Sequence, residues 1–135
     1  MITAVNSSVL IDIFAADKRY GAQSSEAIRK GIKEGNIIAC SVVWAEICGA
    51  FDNSNLTKDA FDKLGITFSF VDEFSAMLAG TLFARYKRFE GSRSRMVPDF
   101  LIESHALTNA DRLLTRDRGF YRQYFIDLEI WDPSV

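Results

Sequence analysis

The chain has 135 residues, 48% of them hydrophobic and 25% charged, with 18 acidic residues against 16 basic ones and a net charge of −2. That length and composition describe one compact domain over 1–135, exclude a disordered chain, and exclude any global attraction for polyanions. No apolar stretch approaches the ~20 residues of a membrane helix and no leader follows Met1, so the expected address is cytoplasmic, with Cys40 and Cys48 kept as thiols.

In chain order, ITAV at 2–5 is a short β-branched run that reads as a strand. Asn6-Ser7-Ser8 follows as a helix cap, before Val9, Leu10, Ile13 and Phe14 on one helical side. The segment from Ser24 or Ser25 to Gly35 predicts a helix with Ile28 and Ile32 four apart, stopped by Gly35. IIAC at 37–40 is a second, fully apolar strand. Ser41 is expected to cap the helix VVWAEICGAF, and LTKDAFDKL at 56–64 is a further amphipathic helix. TFSFV at 67–71 predicts the third strand and Asp72 to Phe89 a long helix. Pro98 suits the first position of the next helix, DFLIESHALTN, where its missing N–H is no loss. RLLT at 112–115 is the fourth strand, RGFYRQYF at 118–125 a short helix, and LEIW at 128–131 a fifth strand.

Apolar strands without polar alternation, separated by helices, predict an α/β fold built on a parallel sheet covered on both faces. In such sheets the functional crevice lies beyond the carboxyl ends of the strands. Asn6 ends the first strand, Glu46 lies on the helix launched by the second, Asp99 opens the helix before the fourth, and Asp117 follows the fourth. Each acid alone has an ordinary use in a cap or a first helical turn. Glu46 is the oddest, because a charge in the largely apolar VVWAEICGAF needs a partner or a pocket. Together, three acids and an amide on one rim predict a site for Mg²⁺ or Mn²⁺, which select hard oxygen ligands, and phosphodiester hydrolysis as the matching chemistry. Glu103 is four residues beyond Asp99, about 40° around a helix, and is expected to neighbour this site; His105, about 120° away, is expected to be packed.

Residues 84–96, ARYKRFEGSRSRM, hold Arg85, Lys87, Arg88, Arg93 and Arg95 against the single acid Glu90. This is either a solvated helix end or a local RNA-binding patch on an otherwise acidic protein. Trp44 and Phe51, seven apart, suit a core seam or a partner groove.

AVNSSVLIDI, SVVWAEI, PDFLIESHAL, RLLTRDRGFY and IWDP, in that order and spacing, resemble the successive motifs of the PIN domain, particularly VapC-type ribonuclease toxins. The resemblance spans nearly the whole chain. It implies a three-layer α/β/α fold with a mostly parallel sheet of four to five strands. It also implies Mg²⁺- or Mn²⁺-dependent endoribonuclease activity on RNA, a homodimer, and neutralisation by a cognate VapB-type antitoxin. Carried over residue by residue, it places Asn6, Glu46, Asp99 and Asp117 as catalytic metal ligands, with Ser8, Thr115 and Glu103 supporting them.

Position 6 departs from the family pattern, which has Asp there. An amide can coordinate through its oxygen but neutralises none of the ion's charge, so the chain is expected to be impaired as it stands. Two histories fit: an Asp→Asn substitution that permits production of a toxic nuclease, or a natural variant that retains only binding. The alternative function is therefore a catalytically silent PIN-like module that binds RNA or protein. A phosphatase or phospho-acceptor domain lacks the paired aspartates expected after the first strand.

Overall fold

The computed structural model describes residues 1–90, 96–117 and 124–135. Its elements are β1 (Ile2–Val5), α1 (Ser7–Phe14), α2 (Gly21–Glu34), β2 (Asn36–Cys40), α3 (Ser41–Phe51), α4 (Ser54–Leu64), β3 (Ile66–Ser69), α5 (Glu73–Glu90), α6 (Val97–Asn109), β4 (Arg112–Leu114) and β5 (Ile130–Trp131). The five strands form one parallel sheet in the order β3-β2-β1-β4-β5. The expected α/β class and parallel sheet are therefore found, with five strands.

Consecutive residues are buried along the central strands: Thr3, Ala4 and Val5 on β1, and Arg112, Leu113 and Leu114 on β4. Neighbouring strand residues point to opposite sides, so this pattern requires cover on both faces. The chain leaves β1 towards β2 on one side and returns to β4 on the other. The gap between β1 and β4 is thus the switch point at which crossovers diverge, where a crevice opens beyond the strand ends.

Several boundaries differ from the sequence expectation, each for a local reason. The second helix starts at Gly21, three residues before Ser24, because the Ser24 hydroxyl is buried and donates to Asp12 Oδ2 at 3.0 Å instead of capping. Ser41 is the first residue of α3 rather than its cap. Its hydroxyl accepts the Val71 N–H at 3.0 Å, which draws Phe70 and Val71 away from β3. Pro98 is the second residue of α6, and β5 keeps only Ile130 and Trp131 of the expected four. The short helix expected at 118–125 lies largely outside the described residues. Gly35 ends α2 as expected: a Cβ there would lie 1.9 Å from the Met1 carbonyl oxygen, so only glycine lets β1 and β2 start side by side.

Two polar clusters fix the helices around the sheet. In the first, Arg116 grips buried Asp12 with two bonds, Nε to Oδ2 at 2.7 Å and Nη2 to Oδ1 at 2.8 Å, and lies 4.0 Å over the Tyr20 ring. This pair ties the loop after β4 to α1 and α2. In the second, the Asp72 carboxylate accepts from the Ser75 hydroxyl at 2.6 Å and from Asn109 Nδ2 at 2.9 Å, and these bonds hold its pKa down at about 2. They join the start of α5 to the end of α6, so the two helices run antiparallel.

His105, buried on α6, has Nε2 2.8 Å from the Ser69 hydroxyl. Burial lowers its pKa below the ordinary 6.5, and the Asp72 charge opposes the shift only in part. The imidazole is packed, as expected, and serves the contact between α6 and β3.

Two stability measurements follow from these clusters. Removing Arg116 leaves Asp12 charged and buried without its cation, so Arg116→Ala should lose about 3 kcal/mol in urea unfolding, with Arg116→Lys recovering part. For His105 the unfolded chain takes up the proton at higher pH than the folded one. Stability should therefore fall as pH drops through 6.5 and level off below the folded pKa, and His105→Gln should flatten that slope in thermal melts from pH 8 to about 5.

Candidate active site

The parallel register brings the ends of β1 and β4 together. Val5 pairs with Leu114, and the Asn6 N–H donates to the Leu114 carbonyl at 3.0 Å. Asn6 and Thr115 therefore leave the sheet side by side at the switch point. Asn6 caps α1, its Oδ1 accepting the Ser8 N–H at 3.4 Å. Beyond β4, the Thr115 hydroxyl accepts the Asp117 N–H at 3.1 Å, and the Asp12–Arg116 pair anchors the residue between them. Asp117 is half-buried at this rim.

Glu46 reaches the same edge from α3. Its Oε1 accepts the Ser7 hydroxyl at 2.6 Å, a short bond of the kind expected when the acceptor is charged. The sequence reading missed Ser7, treating it only as part of the cap. The signal was present, since two consecutive serines at a helix start offer one hydroxyl to each side. Ser8, the expected supporter, has its Oγ buried and without a hydrogen-bond partner among the described residues. Glu46 itself is exposed, so the partner that its charge demanded is a hydroxyl at the rim, not a closed pocket.

α6 ends two residues before β4 begins, so it runs against the strands and opens at their carboxyl side. Asp99, half-buried in its first turn, accepts the Met96 N–H at Oδ2, 3.1 Å away. One carboxylate oxygen thus serves the ordinary capping role. One turn later Glu103 is 1% exposed. Burial above all, and then the charges of Glu103 and Glu46, push the Cys40 thiol pKa up against two opposing backbone N–H groups. Both carboxylates therefore act on the end of β2.

Among the described residues, no three Asp, Glu, His or Cys side chains stand close enough to hold one metal ion. The local bonds explain part of this, since Glu46 is turned to Ser7 and Asp99 to its own helix start. The donor chemistry still suits a hard divalent ion. Glu46 Oε2 and Asp99 Oδ1 make no hydrogen bond among the described residues, and Asn6 and Asp117 supply further oxygens from the adjacent strand ends. A cavity of about 650 Å³ lies along β5, lined by residues that include Lys30, Arg112 and Trp131, and none of the four expected ligands borders it.

Because α5 runs against α6, its last turns lie towards the opening of α6 and Asp99. Arg85, Lys87 and Arg88 are exposed there, with Lys87 Nζ 5.3 Å from the Phe83 ring. Arg93 and Arg95, expected in the same patch, lie outside the described residues. On another face, Phe14, Phe51, Asn53, Leu56, Thr57 and Ala60 line an apolar groove of about 380 Å³. Phe51 belongs to this groove, whereas Trp44 turns to Phe61 with ring centroids 4.1 Å apart. The single helical face expected for the two aromatics thus divides between groove and core.

The fold is shared with solved VapBC and FitAcB structures. VapBC2 from Rickettsia felis, solved bound to a DNA fragment from its promoter, matches with a TM-score of 0.75 at 17% identity, over 98% of this chain and 98% of that one. VapBC-1 from nontypeable Haemophilus influenzae matches with a TM-score of 0.72 at 21% identity over 100% of both chains. FitAcB from Neisseria gonorrhoeae matches with a TM-score of 0.69 at 17% identity over 98% of both. No curated protein matches the sequence. The family model of the PIN domain matches residues 4–126, from the first buried residues of β1 to the segment before β5, and the chain belongs to the PIN domain family.

Proposed function

We propose that residues 1–135 form a single cytoplasmic VapC-type domain, an endoribonuclease dependent on Mg²⁺ or Mn²⁺, acting as a homodimer and neutralised by a VapB-type antitoxin. Asn6, Glu46, Asp99 and Asp117 would hold the metal. The observation that carries this reading is the pairing of the β1 and β4 ends, which sets Asn6 beside Thr115, the residue whose hydroxyl accepts the Asp117 N–H, while Ser7 holds Glu46 at the same edge. When bound, a divalent ion at such a site supplies an activated water and offsets charge on the phosphoryl oxygens. The chain's own residues orient the site: Ser7 fixes Glu46, Thr115 and Arg116 fix Asp117, and Arg85, Lys87 and Arg88 face the RNA phosphates, a role the sequence also assigns to Arg93 and Arg95. The apolar groove bordered by Phe14, Phe51 and Leu56 supports an antitoxin helix as partner.

The second reading, a catalytically silent module, is favoured by Asn6 alone. Its amide already serves as a helix cap and brings no negative charge to the ion.

Position 6 separates the two. Asn6→Asp should tighten Mn²⁺ binding by about 10-fold or more in calorimetry and switch on EDTA-sensitive RNA cleavage. A folded Asn6→Asp protein that gains neither metal affinity nor cleavage over a broad panel of RNAs leaves the silent module as the function.

Asp99 gives a second test on that background. Asp99→Asn keeps an oxygen for the Met96 N–H and removes the charge, so cleavage should disappear while the unfolding free energy moves by less than about 1 kcal/mol.

A further inference from the structure

The cavity of about 650 Å³ along β5 borders none of the four expected ligands and has a chemistry of its own. Trp131 pairs with Leu114, and Arg112 alternates to the same face of the sheet, so the indole and the guanidinium project together. The Arg112 side chain is only 11% exposed and its guanidinium carbon lies 4.1 Å from the centre of the Trp131 ring. Nε donates to Thr3 Oγ1 at 2.9 Å and Nη2 to Glu34 Oε2 at 3.1 Å, whereas Nη1 makes no hydrogen bond among the described residues. From α2, Lys30 brings Nζ to 5.8 Å from the same ring and joins no ion pair among the described residues. Gly31 permits that approach, because a Cβ there would lie 2.8 Å from Ile37 Cδ1 and 3.6 Å from Trp131 Cζ3.

An indole beside an anchored guanidinium and an unpaired ammonium recognises a flat ring that carries an anion. The same lining holds two carboxylates, Glu129 and Asp132, which repel a bare anion and accept from hydroxyl or amino groups. A nucleoside monophosphate has all three parts, and the cavity falls within the span of about 300–1,000 Å³ usual for small-molecule sites. We infer that this cavity binds a nucleoside monophosphate. The phosphate meets Lys30 and Nη1 of Arg112, the base lies against Trp131, and the ribose hydroxyls donate to the Glu129 and Asp132 side. Stacking on an indole is indifferent to which base is present, so the site selects the phosphate and the ring rather than one nucleotide. This inference does not rest on the nuclease reading, and the failure of either leaves the other standing.

The test is titration of the full-length chain with AMP in EDTA, read by calorimetry and by tryptophan fluorescence; EDTA keeps any divalent ion from drawing phosphate to the acids at the strand ends. AMP should bind and change the emission, and Trp44→Phe should keep that change, which identifies Trp131 as the reporter. Lys30→Glu, at an exposed position, should weaken AMP at least tenfold while the thermal melt stays in place. Trp131→Leu should weaken it to a similar extent in calorimetry. Adenosine and inorganic phosphate, each offering half of the ligand, should each bind at least tenfold more weakly than AMP. Absence of saturable AMP binding up to millimolar concentration overturns the inference. So does AMP binding indifferent to Lys30→Glu, phosphate or adenosine binding as tightly as AMP, or a 5′-phosphorylated RNA that outcompetes AMP by way of Lys30.

Discussion

Everything in the site depends on β1 lying between β2 and β4 in a parallel sheet. Parallel pairing sends all strand ends to one edge, and the reversal of direction around β1 parts the crossovers there. The register puts Asn6 against Thr115, so one expected ligand and one expected supporting residue are neighbours by backbone hydrogen bonding alone, with Asp117 two residues further along. Slipping the register of β4 by one residue would exchange the faces of Leu113 and Leu114, both fully buried, and force each into packing shaped for the other. The apolar core therefore enforces the alignment of polar groups that contribute nothing to it.

The polar groups in turn are held by partners of quite different strength. Thr115 and Ser7 each contribute one hydrogen bond, whereas Arg116 contributes a bidentate pair to a buried carboxylate and a stacked ring. The strongest of these contacts is thus one residue from Asp117, where a shift of the loop would matter most to the site. Glu46, by contrast, is exposed and held, among the described residues, by the Ser7 hydroxyl alone.

Much of this was legible in the sequence because it rests on periodicity. Short runs built around apolar residues at 2–5, 37–40 and 112–115 marked the central strands, and the position of Asn6, Glu46, Asp99 and Asp117 relative to strand ends followed from them. What escaped the reading was side chain chemistry between distant segments. Ser24 looked like a cap because local spacing favours one, yet it bonds Asp12; Ser41 looked like a cap and instead holds the turn after β3. Nothing around Asp12 in the chain marked its role, since its partner Arg116 is 104 residues away. A single sequence carries no mark of such pairs. The same holds for Ser7, whose hydroxyl meets a glutamate 39 residues on.

The pairing of β1 with β4 also sets a timetable for the molecule's birth. Thr3 and Arg112 meet across 109 residues, and such distant contacts form slowly because the loop must close before any bond rewards it. During synthesis β1, β2 and their helices emerge long before β4, so the half of the rim that carries Asn6 and Glu46 waits for the half that carries Asp117. A nascent or truncated chain lacks the second half altogether. In this PIN domain, that order keeps the candidate site incomplete for as long as the chain is still attached to the ribosome that makes it.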